Sequence, residues 1–181
     1  MTRSAILDGV NSVTFLLSLF IQANSLAVAA TSQLALEPLD VVFTPGAWVT
    51  EAHFQPVVAD LVDKGYNAFA RTLPSFNSSQ PTRDTVETDA QFLRDQVLLP
   101  CIDAGKHVIL VLHSYAGIPG GVAAYGLSKT EREAGGQPGG IIGLIYLSSF
   151  LIEEGATLAS KLPNGQLLPW IESYVEPLFS F

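Results

Sequence analysis

Lys106-His107-Val108-Ile109-Leu110-Val111-Leu112-His113-Ser114-Tyr115-Ala116-Gly117-Ile118-Pro119-Gly120-Gly121-Val122-Ala123-Ala124-Tyr125-Gly126 is the stretch on which the fold turns. Its first part, 106–112, is aliphatic and β-branched and too short for a helix, so it reads as a strand buried on both faces of a parallel sheet. Its last part, 118–126, reads as a helix of small residues, with Pro119 early enough that its missing N–H costs little. Ser114 falls where strand passes into helix. A sharp turn there lifts a hydroxyl above the sheet, and the helix N-terminus behind it favours negative charge.

This is the arrangement of a nucleophile elbow, with two departures. The motif has glycine two residues to either side of the serine, because the strand and helix backbones nearly touch. Here those positions are Leu112 and Ala116. Alanine is a mild change. Leucine is expected to splay the turn or push the helix away, so that Leu112→Gly would tighten it. The other reading of the same residues is an ordinary strand–helix turn with a serine N-cap.

Outward from this stretch, strand and helix patterns alternate. Asp40–Thr44 reads as a strand, followed by a helix from about Glu51 to Lys64 with Phe54, Val57, Val58, Leu61 and Val62 on one face and Gly65 closing it. Tyr66–Arg71 is the next strand. A polar loop over 75–82 leads to a helix opened by Asp84 and Glu87 as a capping box. Its buried stripe is Val86, Ala90, Leu93, Val97 and Cys101, with Asp84, Glu87, Asp89 and Asp95 on a solvated face. After 126 a loop leads to the strand Ile141–Leu147. Short loops between alternating elements imply a doubly wound, mostly parallel α/β sheet.

With 181 residues and 48% hydrophobic content the chain can bury one core. A net charge of −8 argues against nucleic acid and anionic membrane surfaces. Cys101 is the only cysteine, which excludes an internal disulfide, and no His/Cys spacing suits zinc. The glycine-rich 135–140 has no following lysine for a phosphate and reads as a connector. No metal or cofactor is expected, and the sequence leaves the oligomeric state open. Residues 1–30 have the form of a signal peptide or membrane anchor: Arg3, an apolar run over 13–21, and Ala27-Val28-Ala29 as a small-x-small site. That points to a secreted or membrane-anchored protein, with a cytoplasmic one as the alternative.

Leu112-His113-Ser114-Tyr115-Ala116-Gly117 resembles the Gly-His-Ser-Tyr-Gly-Gly of the α/β-hydrolase superfamily, AB hydrolase-1 type. The similarity is nearest to the esterase and hydroxynitrile-lyase-like branch and its fungal and bacterial relatives. Val41 to Trp48 resembles that branch's first strand and oxyanion loop, and Gly65-Tyr66, Leu73-Pro74-Ser75, Gly139-Gly140 and Tyr146 to Phe150 follow in order, so the likeness spans about 39–170. It implies a partial hydrolase core over 31–152 and the start of a cap over 153–181, with the C-terminal part of the fold missing. Trp170 is then a pocket residue, and Tyr174, Phe179 and Phe181 suit an apolar lid, although such aromatics also serve plain packing.

The resemblance implies ester hydrolysis of a small substrate, with a cyanohydrin lyase as a lesser option. Ser114 is the nucleophile, and the backbone N–H groups of Tyr115 and of Ala47 or Trp48 form the oxyanion hole. The base is the difficulty, because the triad order is serine, acid, histidine, and no histidine follows Ser114. His107 and His113 read as structural; His53, near the oxyanion loop, is the only substitute base to weigh. Two expectations stand: a serine hydrolase inactive as written for want of its histidine, or a non-catalytic remnant that binds a small apolar ligand or a protein. Ile141–Leu147 is expected to be an unpaired sheet edge.

Overall fold

The computed structural model describes residues 38–80, 83–166 and 169. The first compact unit, Met1–Pro38, lies almost wholly outside these, so the account concerns the second, Leu39–Phe181. The signal or anchor reading of 1–30 and the lid aromatics Trp170, Tyr174, Phe179 and Phe181 fall outside the described residues. Among those described, no helix is long and apolar enough to cross a membrane.

Four strands, β1 (Leu39–Thr44), β2 (Asn67–Ala70), β3 (His107–His113) and β4 (Gly140–Leu147), form one sheet of order β2-β1-β3-β4, every pair parallel. Parallel neighbours need crossovers, and helices supply them. A 3₁₀ turn (Glu51–Phe54) and α1 (Gln55–Asp63) join β1 to β2, and Gly65 at φ +89 turns the chain back where a side chain would be strained. α2 joins β2 to β3 in three consecutive pieces, Val86–Phe92, a π-helical Leu93–Leu98, and Leu99–Asp103. Pro100 removes one helical N–H, and the wider π turn just before it takes up that defect. After β3 come a 3₁₀ turn (Ser114–Ala116), α3 (Gly117–Ala124) and α4 (Lys129–Ala134).

Strand alternation divides the core. Val42, Val108, Leu110 and Leu112 face α2 and α3 with Leu93, Leu98 and Ile102, while Val41, Phe43 and Val111 face Phe54 and Val58 beside α1. Helices therefore cover both faces, and the sheet is doubly wound as expected. Of the five-residue stripe expected here, only Phe54 and Val58 are buried, Leu61 is half-buried, and Val57 and Val62 are exposed.

Four details differ from the sequence reading. The capping box opens one residue later than expected, Thr85 N–H donating to Thr88 Oγ1 at 2.7 Å. The stretch 127–139 is not all loop. Ser128 caps α4 by accepting from the Glu131 N–H at 3.2 Å, and Arg132 is buried, donating to Asp103 and to the Pro138 carbonyl. Asp89 does not face solvent, since its side chain is fully buried. Leu112, finally, does not push the helix off. A Cβ on Gly120 would stand 2.2 Å from Leu112 Cδ2, so Gly120 supplies, one turn into α3, the room expected beside the serine. Leu112→Gly would open a void rather than tighten the turn.

Candidate functional site

All four strands point the same way, so the loops at their carboxyl ends gather on one side, where open α/β sheets place ligand sites. The loop after β1 brings Gly46, Ala47 and Trp48; that after β2 brings Ser75 to Ser78; that after β3 brings Ser114 and Tyr115. β4 adds Ser148, Ser149 and Phe150.

Ser114 has φ +53, a left-handed conformation that a serine adopts at a cost of roughly 1–3 kcal/mol unless its surroundings impose it. Here they do. The Ser114 carbonyl accepts from Ser149 Oγ at 2.7 Å and from the Phe150 N–H at 3.1 Å. A Cβ on Gly46 would lie 2.6 Å from Ser114 Cβ and 3.0 Å from the His113 carbonyl, so only glycine lets the β1 loop lie against the turn. The Gly46 N–H reaches His113 Nδ1 at 3.3 Å, a second tie between the same segments. Tyr115 belongs to the first turn of the helical segment, where amides have no intrahelical carbonyl to bond.

Asp89 is the residue that sequence reasoning missed. From α2 it accepts from the Ser75 N–H at 3.0 Å, Ser75 Oγ at 2.6 Å and Tyr115 Oη at 2.9 Å. One buried carboxylate thus ties the loop after β2 to the residue after Ser114, and its burial is tolerated because three donors surround it. Burial first, and then the Asp89 charge and hydrogen bond, hold the Tyr115 phenol protonated well above its ordinary range. The available signal was position: 89 lies next to Ala90 and one turn before Leu93 on the buried stripe. Glu51 plays a similar part nearer the surface, accepting from Thr72 Oγ1 at 2.7 Å and Thr72 N–H at 2.9 Å, so that the β1 and β2 loops are joined.

A cavity of about 590 Å³ is walled by Gly46, Ala47, Trp48, Leu73, Ser75 to Ser78 and Tyr115. Trp48, at φ +61 and 68% exposed, is part of this wall and not a core aromatic. A second cavity, about 820 Å³, lies between α3 and residues 151–156, with Glu153 and Glu154 among its lining. Ser114 lines neither, but its neighbours Tyr115 and Gly117 line one each.

The hydrogen bonds of His113 and His53 run to backbone groups. His113 directs its Nδ1 to Gly46, and its ring forms a T-shaped pair with Phe54, 6.0 Å between centroids. His53 Nδ1 meets the carbonyl of Thr50 at 3.3 Å. His107 is buried at the opposite end of β3, roughly 20 Å from Ser114 at about 3.3 Å per residue. Among the described residues no group of His, Cys, Asp or Glu could hold a metal ion.

Three likenesses bear on this geometry. Residues 41–180 match the family model described as "Alpha/beta hydrolase family". The chain is 32% identical over 136 residues to the alpha/beta hydrolase nvfD of Aspergillus novofumigatus (strain IBT 16806), covering 75% of this chain and 51% of that protein. Among solved structures it is similar to an extracellular alpha/beta-hydrolase from a Paenibacillus species, described as sharing structural and functional homology with tobacco salicylic acid binding protein 2. That match has a TM-score of 0.53 and 15% identity, over 70% of this chain and 47% of the other, and speaks for the fold alone. The chain spans about half the length of both relatives.

Proposed function

The chain belongs to the alpha/beta hydrolase family, and from that premise we propose that it carries the nucleophile and oxyanion half of a serine hydrolase acting on small carboxylic esters. The observation that supports this most is Ser114 at φ +53 between a parallel strand and a helix, with the Gly46 loop packed on its Cβ. That geometry supports reading the turn as a nucleophile elbow.

In the reaction, Ser114 Oγ attacks the ester carbonyl and gives its proton to a base. The tetrahedral oxyanion is met by the Tyr115 N–H and by that of Ala47 or Trp48. The carbon–oxygen bond then breaks, the alcohol departs with the proton, and water releases the acid from Ser114. The cavity walled by Trp48, Ser75 and Tyr115 takes the substrate, and no cofactor is used. Residues 1–30 support export or membrane anchoring as part of the same proposal.

Within these 181 residues the base is lacking, and loss of a triad member costs several orders of magnitude. The chain alone should cleave short aryl esters no faster than Ser114→Ala. Free imidazole in the buffer should then raise the wild-type rate above that of Ser114→Ala. Turnover typical of an esterase without imidazole would mean that a base is present after all. The same arrangement, with no imidazole at Ser114, also favours a second reading, a hydrolase fold that binds a small apolar ligand or a partner without turning it over. Equal rates for wild type and Ser114→Ala at every imidazole concentration would select that reading.

A further inference from the structure

The Ser114 carbonyl and the Tyr115 N–H are two ends of one peptide unit. That unit is planar and trans, so the N–H points opposite to the C=O, and whatever fixes one fixes the other. The carbonyl is held from behind β4 by Ser149 Oγ at 2.7 Å and the Phe150 N–H at 3.1 Å. Two donors on a carbonyl also draw electron density from its amide, making the N–H a stronger donor.

We infer that Ser149 is a positioning residue for the oxyanion hole: its hydroxyl, on the carbonyl of Ser114, aims and polarises the Tyr115 N–H. This rests on the reading of Ser114 as nucleophile. The approach is built into the fold. Gly117, the first residue of α3, leaves room for it, since a Cβ there would stand 2.3 Å from Ser149 Oγ and 2.2 Å from the Phe150 carbonyl. Ser148, at φ +43, bends the chain after β4 so that residues 149 and 150 turn back onto Ser114. On the other flank, Asp89 anchors the Tyr115 ring through its hydroxyl at 2.9 Å, so the unit is held from two sides.

The experiment uses the 181-residue chain, p-nitrophenyl acetate and free imidazole, with Ser114→Ala, Ser149→Ala and Ser160→Ala. Ser149→Ala should lower the imidazole-rescued, Ser114-dependent kcat on the order of tenfold with KM little changed, because the donor it aims acts mainly in the transition state. Its Tyr115 amide nitrogen-15 resonance should move upfield, a signature that loss of packing at residue 149 would not produce. Ser160→Ala, which removes a hydroxyl bonded within its own turn to the Thr157 carbonyl, should keep the wild-type rate. A rescued kcat unchanged in Ser149→Ala, or lowered equally in Ser160→Ala, would overturn the inference while the nucleophile reading stands. Absence of any Ser114-dependent rescue in the wild type would overturn both.

Discussion

Strands β3 and β4 lie side by side, Leu110 opposite Leu144 and Val111 opposite Ile145, yet their surroundings differ. β3 has a strand on each edge and helices on each face, and Leu110 is 0% exposed. β4 is a sheet edge among the described residues, with Ile142, Leu144, Ile145 and Leu147 exposed. In sequence the two are nearly interchangeable apolar runs. What separates them is place in the sheet, and place decides what a strand can carry at its end. A strand gripped on four sides can hold a strained Ser114 at its tip. The edge strand supplies the outer clamp, Ser149 and Phe150.

The largest test of this contrast is Leu112→Gly. Leu112 is fully buried against Gly120, so its loss should cost about 4 kcal/mol in urea denaturation, from the void and the added backbone freedom. β4 already carries a glycine, Gly143, opposite Ile109. Next come the register partners. Leu110→Ala should cost about 3 kcal/mol, and Leu144→Ala, at a site 39% exposed, about 1 kcal/mol. Equal costs would remove the distinction. Smaller still, Gly143→Ala should stabilise by about 0.5 kcal/mol, because its new Cβ would meet only Ile109 Cγ1, at 3.8 Å.

The strand–helix alternation was legible because each element carries its own period and stop signal, as with Gly65 after α1. Ser114 was legible from its junction, whereas the edge position of β4 was expected only through the family resemblance, its own apolar pattern being much like that of β3. Three features were not. Asp89 looked like its acidic neighbours, since a charge on a helix is normally solvated and only tertiary contacts give it Ser75 and Tyr115 as donors. The partnership of Leu112 with Gly120 joins residues on different elements, where local spacing is silent. α4 did have a local signal, Ser128 with Glu131 three residues on, a spacing shared by many loops.

The smallest effect concerns pH. Hydrogen bonds from the Thr72 hydroxyl first, and then the Thr72 N–H, hold the Glu51 carboxyl below the usual carboxylate range. Its folded value lies below its unfolded one, so the stability it adds is complete above the unfolded value and is lost as pH falls through the folded one. Wild type should exceed Glu51→Gln in melting temperature at neutral pH, and the gap should close below about pH 4. A gap that widened in acid would contradict the Glu51–Thr72 link between the loops after β1 and β2.

The central claim, that the turn at the tip of β3 presents a nucleophile served by oxyanion donors but by no imidazole of its own, is tested most directly by trapping the acyl group. The chain would be incubated with p-nitrophenyl acetate, with and without imidazole, and digested for peptide mass mapping. Acetyl on Ser114 with imidazole, and none there without it, is the predicted result. Ready acetylation of Ser114 without imidazole, or acetyl scattered over lysines with Ser114 untouched in both, would contradict the account.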